Sequence, residues 1–181
     1  MKPLLRWLVM WLACWGAQAM AATVPMLTLS AEQLQQPTPI ERSLLLEDRT
    51  GELTPADVLQ HLPGRGVLHQ GVPRLGYSSS VWWAAVQLDM PAGQRLSLLI
   101  DHPFLDDLQV WLDDGSRLRG PLLSGDHLPF LQRGEPYPHF MLTLPPLADG
   151  PHTLLIRVRS DSSISLPMQL AGADQGPRLT A

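Results

Sequence analysis

Aromatic, amide and guanidinium side chains share one phase of three strand-like segments in this sequence of 181 residues. They are Trp83, Gln109, Trp111, Arg157 and Arg159, and each alternates with aliphatic neighbours. Indole rings stack on the apolar faces of sugars, while Arg and Gln hydrogen-bond hydroxyls or carboxylates. The pattern therefore predicts a surface that binds a carbohydrate or a small carboxylate.

The same residues also have a structural interpretation. Trp83 and Trp111 could fill a second core layer beneath a loop or a short helix, and Arg157 and Arg159 could pair with acids on neighbouring strands. The two interpretations differ in whether solvent reaches the indole rings.

A short acidic corner, 101–107, separates two of the strand-like segments. Its carboxylates, Asp101, Asp106 and Asp107, lie beside His102 and are weak candidates for a hard-cation site, since calcium takes several oxygen ligands. However, the spacing matches no EF-hand loop. We favour turn chemistry, in which Asp side chains accept backbone hydrogen bonds around Pro103.

Other chemistry finds little support, and we predict no enzyme activity and no cofactor. Residues 76–80, GYSSS, lack the last glycine of the G-x-S-x-G motif of hydrolases. The six histidines are scattered, with no pair at metal-ligand spacing. A glycosidase needs two facing carboxylates, which spacing between strands cannot establish.

The first 21 residues have the composition of a secretory signal peptide. Lys2 and Arg6 form a basic start, residues 4–16 are otherwise an apolar run, and small residues follow at 17–22. The run is shorter than the roughly 20 residues of a membrane span, so an uncleaved anchor is the second choice. Cleavage removes Cys14, the only cysteine, and makes the net charge more negative than −4. An acidic exported chain is not expected to bind nucleic acid.

After the signal peptide, residues 22–42 are polar and rich in proline, and they predict a flexible lead-in. The domain is expected to span 43–170, and 171–181 to form a linker. One short helix is predicted at 54–61, with Thr54 as N-cap and Pro55 at its first position. From Gly71 onward, short alternating segments separated by turn residues predict an all-β fold, a jelly-roll β-sandwich.

Five blocks in order carry a resemblance to a known family. They are 76–83 (GYSSSVWW), 98–108 (LLIDHPFLDDL), 125–130 (GDHLPF) with Arg133, His139 and Phe140, then 155–160 (LIRVRS) and 165–168 (SLPM). Together they resemble the type 2 extracellular domain of bacterial seven-transmembrane receptors with diverse intracellular signalling modules (7TMR-DISM). The resemblance covers about 43–170.

The resemblance implies a periplasmic jelly roll similar to carbohydrate-binding modules. Full-length members of the family are inner-membrane proteins, in which this domain precedes seven membrane helices and a diguanylate cyclase or histidine kinase. Two departures stand out. Ala85 occupies a position where members often carry Arg, and no membrane or output module follows in the sequence. We therefore expect a fragment, a truncated product, or a sensor that works with a separate signalling partner.

The functional prediction is a periplasmic ligand-sensing domain of a membrane signalling receptor. Its expected partners are a small-molecule ligand, a membrane-embedded receptor module or separate signalling protein, and a second copy in a homodimer. The alternative is a free-standing exported carbohydrate-binding module with no signalling role. A third class is a structural module whose sheet edge binds another domain.

Overall fold

A computed structural model of the chain describes residues 22–91, 93–129, 132, 140–148 and 150–175. The predicted signal peptide, 1–21, lies outside these residues, as do 176–181 of the predicted linker and Phe130, Arg133 and His139 of the third block. Within the described ranges, no helix has the length and apolar content needed to cross a membrane.

The described chain is built mainly from short strands and contains one α-helix, α1, at Pro55–Arg65. The strands are β1 Met26–Thr28, β2 Thr38–Pro39, β3 Arg42–Asp48, β4 Val67–Gln70, β5 Arg74–Gly76, β6 Val81–Asp89, β7 Leu96–Ile100, β8 Asp107–Asp113, β9 Leu118–Ser124, β10 Phe140–Thr143, β11 His152–Arg159, β12 Ile164–Ser165 and β13 Met168–Gly172.

Most of these strands belong to two sheets that form a β-sandwich. The large sheet has the order β4-β3-β6-β11-β8-β9, and β1 pairs with β6 in parallel beyond the end of β3. The small sheet has the order β10-β7-β13-β2, while β5 and β12 pair separately. The all-β sandwich predicted from the alternating pattern is confirmed.

The main core lies between the two sheets and takes one side-chain phase from each strand. From the large sheet it receives the aliphatic stripe of β6, β8 and β11, and from the small sheet that of β7, β10 and β13. Val110, Leu154 and Ile156 are fully buried there. Because strand side chains alternate between faces, the other phase of the large sheet points away from this core.

That outer face carries a second core beneath α1. Val58 and Leu62 of the helix join Trp83, Trp111 and Leu155 of the sheet in one buried cluster. The helix begins as predicted, with Thr54 as N-cap in a capping box with Asp57. It continues through Pro63 to Arg65, beyond the predicted end at residue 61, because the buried face of the helix includes Leu62.

The prediction of a flexible lead-in at 22–42 is corrected by the structure. β1 pairs with β6, and β2 pairs with β13. Leu29, Leu34 and Ile40 are each at most 4% exposed and belong to the main core. Single apolar residues in a polar context therefore hold this segment in place. The predicted linker is likewise ordered in its first part, since β13 runs to Gly172.

A turn around 113–115 joins β8 to β9 as an antiparallel hairpin. The Asp114 carboxylate accepts hydrogen bonds from the hydroxyl and amide of Ser116 and from the amide of Arg117. These bonds lower the pKa of Asp114 to about 2. The short polar sequence of the turn thus provides its own hydrogen bonds.

Asp48 organises the loop between β3 and α1 and is only 3% exposed. Its carboxylate accepts hydrogen bonds from the hydroxyl of Thr50 and from the amides of Gly51 and Leu53, at 2.8–3.0 Å. Burial alone raises the pKa of Asp48, but the Leu53, Gly51 and Thr50 bonds outweigh it and hold the pKa below its usual value. The indole N–H of Trp83 contributes in the same direction, although it has no partner with hydrogen-bond geometry among the described residues.

We predict that Asp48→Asn lowers the free energy of unfolding by about 1–3 kcal/mol at pH 7. The substitution replaces one accepting oxygen of the carboxylate with an NH2 group, which cannot accept a hydrogen bond from the surrounding donors. A lowered folded-state pKa stabilises the fold above the unfolded-state value of about 3.9 and stops doing so as pH falls through the folded-state pKa. The difference between wild type and variant should therefore shrink below about pH 4. Urea denaturation from pH 7 to pH 3 measures this, with the exposed Glu52→Gln in the same loop as control. A constant difference over this range would contradict the assignment.

Candidate functional site

The side chains predicted to bind a ligand lie on the outer face of the large sheet. Strand β11 places Arg157 between Trp83 of β6 and Gln109 of β8, and it places Leu155 beside Trp111. At the end of the same strand, Arg159 lies opposite Asp107 in the register of β11 and β8. Strand pairing therefore brings together residues that are far apart in the sequence.

The two indole rings do not form an exposed platform. Trp83 is 1% exposed and Trp111 is 7% exposed. Their ring centroids are 5.5 Å apart, with 31° between the ring planes, and the residues around them belong to the cluster beneath α1. The stacking role predicted for Trp83 and Trp111 is thus corrected to the structural interpretation, because the helix takes the ring surface that a sugar would need.

The polar members of the predicted set form a connected network instead. The Arg157 guanidinium contacts the Asp107 carboxylate at 2.5 Å, and the Gln109 amide donates to the same carboxylate at 3.1 and 3.3 Å. Asp107 is thus held by two neighbours on the outer face. Arg157 takes the predicted structural role, an ion pair with an acid across the sheet.

The hydrogen bonds of Asp106 tie the acidic corner to the loop after β11, whereas the sequence favoured local bonds around Pro103. Asp106 accepts from the hydroxyl of Ser160 and the amide of Asp161, at 3.1 and 2.7 Å. Asp101 is exposed at the end of β7. In the described part of the chain, no group of three or more His, Cys, Asp or Glu side chains is arranged to hold a metal ion.

A cleft of about 490 Å³ opens where the network and the acidic corner meet. We call it the Arg159 cleft. Its lining residues come from β8, β9, β11 and the adjoining loops, and they are Asp106, Asp107, Gln109, Leu123, Ser124, His127, Leu128, Arg159 and Asp161.

The cleft combines hydrogen-bond donors with acceptors. Arg159 is exposed and forms no ion pair with any described residue, so its guanidinium can donate to a ligand. The ring of His127 is 3.7 Å from Asp106 and largely exposed. Carboxylate oxygens of Asp106, Asp107 and Asp161 can accept. Such a surface suits a polar ligand with several hydrogen-bonding groups.

Five cleft residues are not among the site residues predicted from the sequence, namely Leu123, Ser124, His127, Leu128 and Asp161. His127 reaches the cleft because Gly125 allows its loop to approach the acidic corner. Gly125 has φ +128°, and a Cβ there would collide with the carbonyl of Asp106. The signal in the sequence is the third block, where Gly125 and Asp126 directly precede His127.

A second groove, of about 730 Å³, is lined in part by Trp82, a residue to which the sequence assigned no role. We call it the Trp82 groove. The Trp82 indole donates to the Ser78 hydroxyl at 3.1 Å, and the Ser80 hydroxyl donates to Glu47 at 2.8 Å. Leu45 and Val67 also line this groove. The 76–83 block therefore fixes the position of Trp82 at the edge of the main core.

We predict that Trp83→Ala and Trp111→Ala each lower the free energy of unfolding by about 3–5 kcal/mol, because each leaves a large cavity in the core beneath α1. Chemical denaturation measures the loss. Leu123→Ala is the control, since Leu123 lies on the same face but is 49% exposed, and it should change stability by less than about 1 kcal/mol. Tryptophan variants as stable as this control would mean that the rings are not core residues.

Comparison with known proteins supplies a family. A search of curated proteins returned no match. The family model described as 7TMR-DISM extracellular 2 matches residues 42–172, which include the strands from β3 to β13, α1 and every residue that lines the Arg159 cleft. The chain therefore belongs to the 7TMR-DISM extracellular 2 family.

Proposed function

We propose that the domain is the periplasmic ligand sensor of a membrane signalling receptor and that it binds a carbohydrate in the Arg159 cleft. The family is a non-catalytic extracellular module of membrane receptors. Export through the predicted signal peptide would bring the domain to the periplasm. The ligand, the output module and the location of the site are parts of this proposal.

The observation that carries the proposal is the convergence of Gln109, Arg159 and His127 with several carboxylates in one cleft. A sugar hydroxyl both donates and accepts a hydrogen bond, so it pairs well with a surface that offers both. Gln109 and Asp107 are already fixed by their mutual hydrogen bonds and by Arg157. A ligand therefore meets groups that are largely in position, which reduces the entropy lost on binding.

The charge of the cleft favours a neutral ligand over a small carboxylate. Three aspartates, Asp106, Asp107 and Asp161, line the cleft with one arginine, Arg159. Arg157 offsets Asp107, which leaves more negative than positive charge near the ligand. An anion would be repelled by the remaining carboxylates, whereas a sugar carries no charge.

A sensor needs its ligand to prefer one receptor state. Binding shifts an equilibrium only by the difference between the affinities of its two conformations or assemblies for the ligand. In the proposed receptor, that difference would act through a membrane module on a diguanylate cyclase or histidine kinase. An exported carbohydrate-binding module would have the same cleft but no output to change, and it remains the alternative.

We predict that Arg159→Ala and Gln109→Ala each weaken carbohydrate binding by about tenfold or more, since each removes hydrogen bonds to the ligand. Isothermal titration calorimetry of the exported chain with neutral mono- and disaccharides is the measurement, with succinate and citrate in parallel. The control Arg95→Ala removes an exposed arginine outside the cleft and should leave binding unchanged. Binding of carboxylates but not sugars would contradict the ligand class, and sugar binding unaffected by both variants would contradict the site.

The sensor role is tested separately in cells that carry the gene. The sugar identified by calorimetry should change the cyclic-dinucleotide level or the kinase output in wild-type cells but not in Arg159→Ala cells. Equal output with and without the sugar in wild-type cells would favour the exported binding module.

A further inference from the structure

The two edges of the large sheet differ in how they are protected from pairing with another strand. A sheet edge presents unpaired backbone N–H and C=O groups, and proteins block it with charges, prolines or bulges. Strand β9 forms one edge and carries Arg119, Pro121 and an irregular register opposite Val110 and Leu112. Arg119 also donates to the carbonyl of Pro146. This edge is poorly suited to pairing.

Strand β4 forms the other edge and has none of these features. Its sequence, VLHQ, contains no proline and no carboxylate, lysine or arginine, and its register with β3 is regular. Among the described strands it has a neighbour on one side only. Val67 is 68% exposed and Leu68 is 44% exposed. Because adjacent residues point to opposite faces, apolar surface is open on both faces of this edge.

Open cavities adjoin both ends of β4. The Trp82 groove adjoins Val67 at one end. A cavity of about 440 Å³ adjoins the other end, where Gln70, Gly71 and Val72 meet Ile40 and Met168. A cavity therefore flanks the strand at each end, and Val72, which is 41% exposed, extends the apolar surface at one of them.

We propose that β4 pairs with β4 of a second copy of this chain, antiparallel about a two-fold axis. A two-fold interface uses the same patch on both copies. Centred on β4, it sets Val67 against the partner's Gln70 and Leu68 against the partner's His69. The open backbone groups of both edges then pair, and Val67 and Leu68 lose their exposure to water.

The charges beside the strand fit this arrangement. Arg65 lies just before β4 and lines the Trp82 groove, while Glu41 lies at the opposite end and lines the other cavity. Both are exposed and neither forms an ion pair with a described residue. The two-fold axis brings Arg65 of each copy to the end of the partner's β4 that lies next to the partner's Glu41. Parallel pairing in register would instead set like charges together.

This pairing goes beyond the proposed function and does not depend on it. The Arg159 cleft is lined from β8, β9 and β11, at the opposite edge of the sheet from β4. A dimer through β4 leaves both clefts open to a ligand, and the dimer would form whether or not the cleft binds sugar.

The first test is the mass of the exported chain by light scattering and analytical ultracentrifugation across a concentration series. Wild type should form a dimer, and Val67→Lys should raise its dissociation constant by about 100-fold or more, because the lysine charge would be buried in the pair. Leu123→Lys is the matched control on strand β9 and should leave the dimer intact. At concentrations where both chains are monomers, thermal unfolding of Val67→Lys should match that of wild type, since the residue is exposed in a single chain. A wild type that stays monomeric, or Leu123→Lys and Val67→Lys that act alike, would overturn the proposal.

The second test is charge reversal. Arg65→Glu and Glu41→Arg should each weaken the dimer by about tenfold, and the double variant should regain most of the wild-type affinity. Loss of fold cannot produce such a recovery. Additive losses in the double variant would overturn the antiparallel pairing.

Discussion

The structure depends on covering both faces of the large sheet. Its inner face is closed by the small sheet, and its outer face receives α1. An 11-residue helix is about 16 Å long and about 10 Å wide, whereas the six strands of the main path extend about 24 Å across. The helix can therefore cover only part of the outer face. The remainder faces solvent, and there Arg157, Gln109 and Asp107 satisfy one another.

This division explains why the tryptophans are buried beneath α1 while the arginines lie on the uncovered part of the same face, although all of them share one phase. The alternation in the sequence correctly predicts that Trp83, Trp111 and Arg157 share a face, because a period of two is a local property of a strand. It cannot predict which of them the helix covers. That depends on where α1, a separate segment, packs on the sheet, and local alternation carries no information about the packing position.

The sequence predicts the ligand contacts and the acidic corner as two separate features, but the structure brings them together. Gln109, Arg157 and Arg159 were grouped as ligand contacts, while Asp106 and Asp107 were weighed as metal ligands or turn residues. The pairing of β11 with β8 sets Arg157 beside Gln109 and Arg159 beside Asp107, so all of them meet at one end of the sheet. Strand order and register are set by packing across the whole domain, which a single sequence does not reveal. The prediction that the lead-in is flexible is wrong for another reason. Single buried residues such as Leu34 are hard to recognise in a polar stretch.

The network in the cleft also limits how a ligand can act on the rest of the domain. Asp107 is fixed by Arg157 and Gln109, and Asp106 is fixed by Ser160 and Asp161. A ligand that binds these groups displaces water without having to rearrange the strands, which are hydrogen-bonded from β9 to β4. Bending such a sheet would break packing on both of its faces. In the proposed complex, binding would act through the loops that border the cleft, above all the Gly125 loop and the acidic corner, because these loops are not part of the ladder of paired strands.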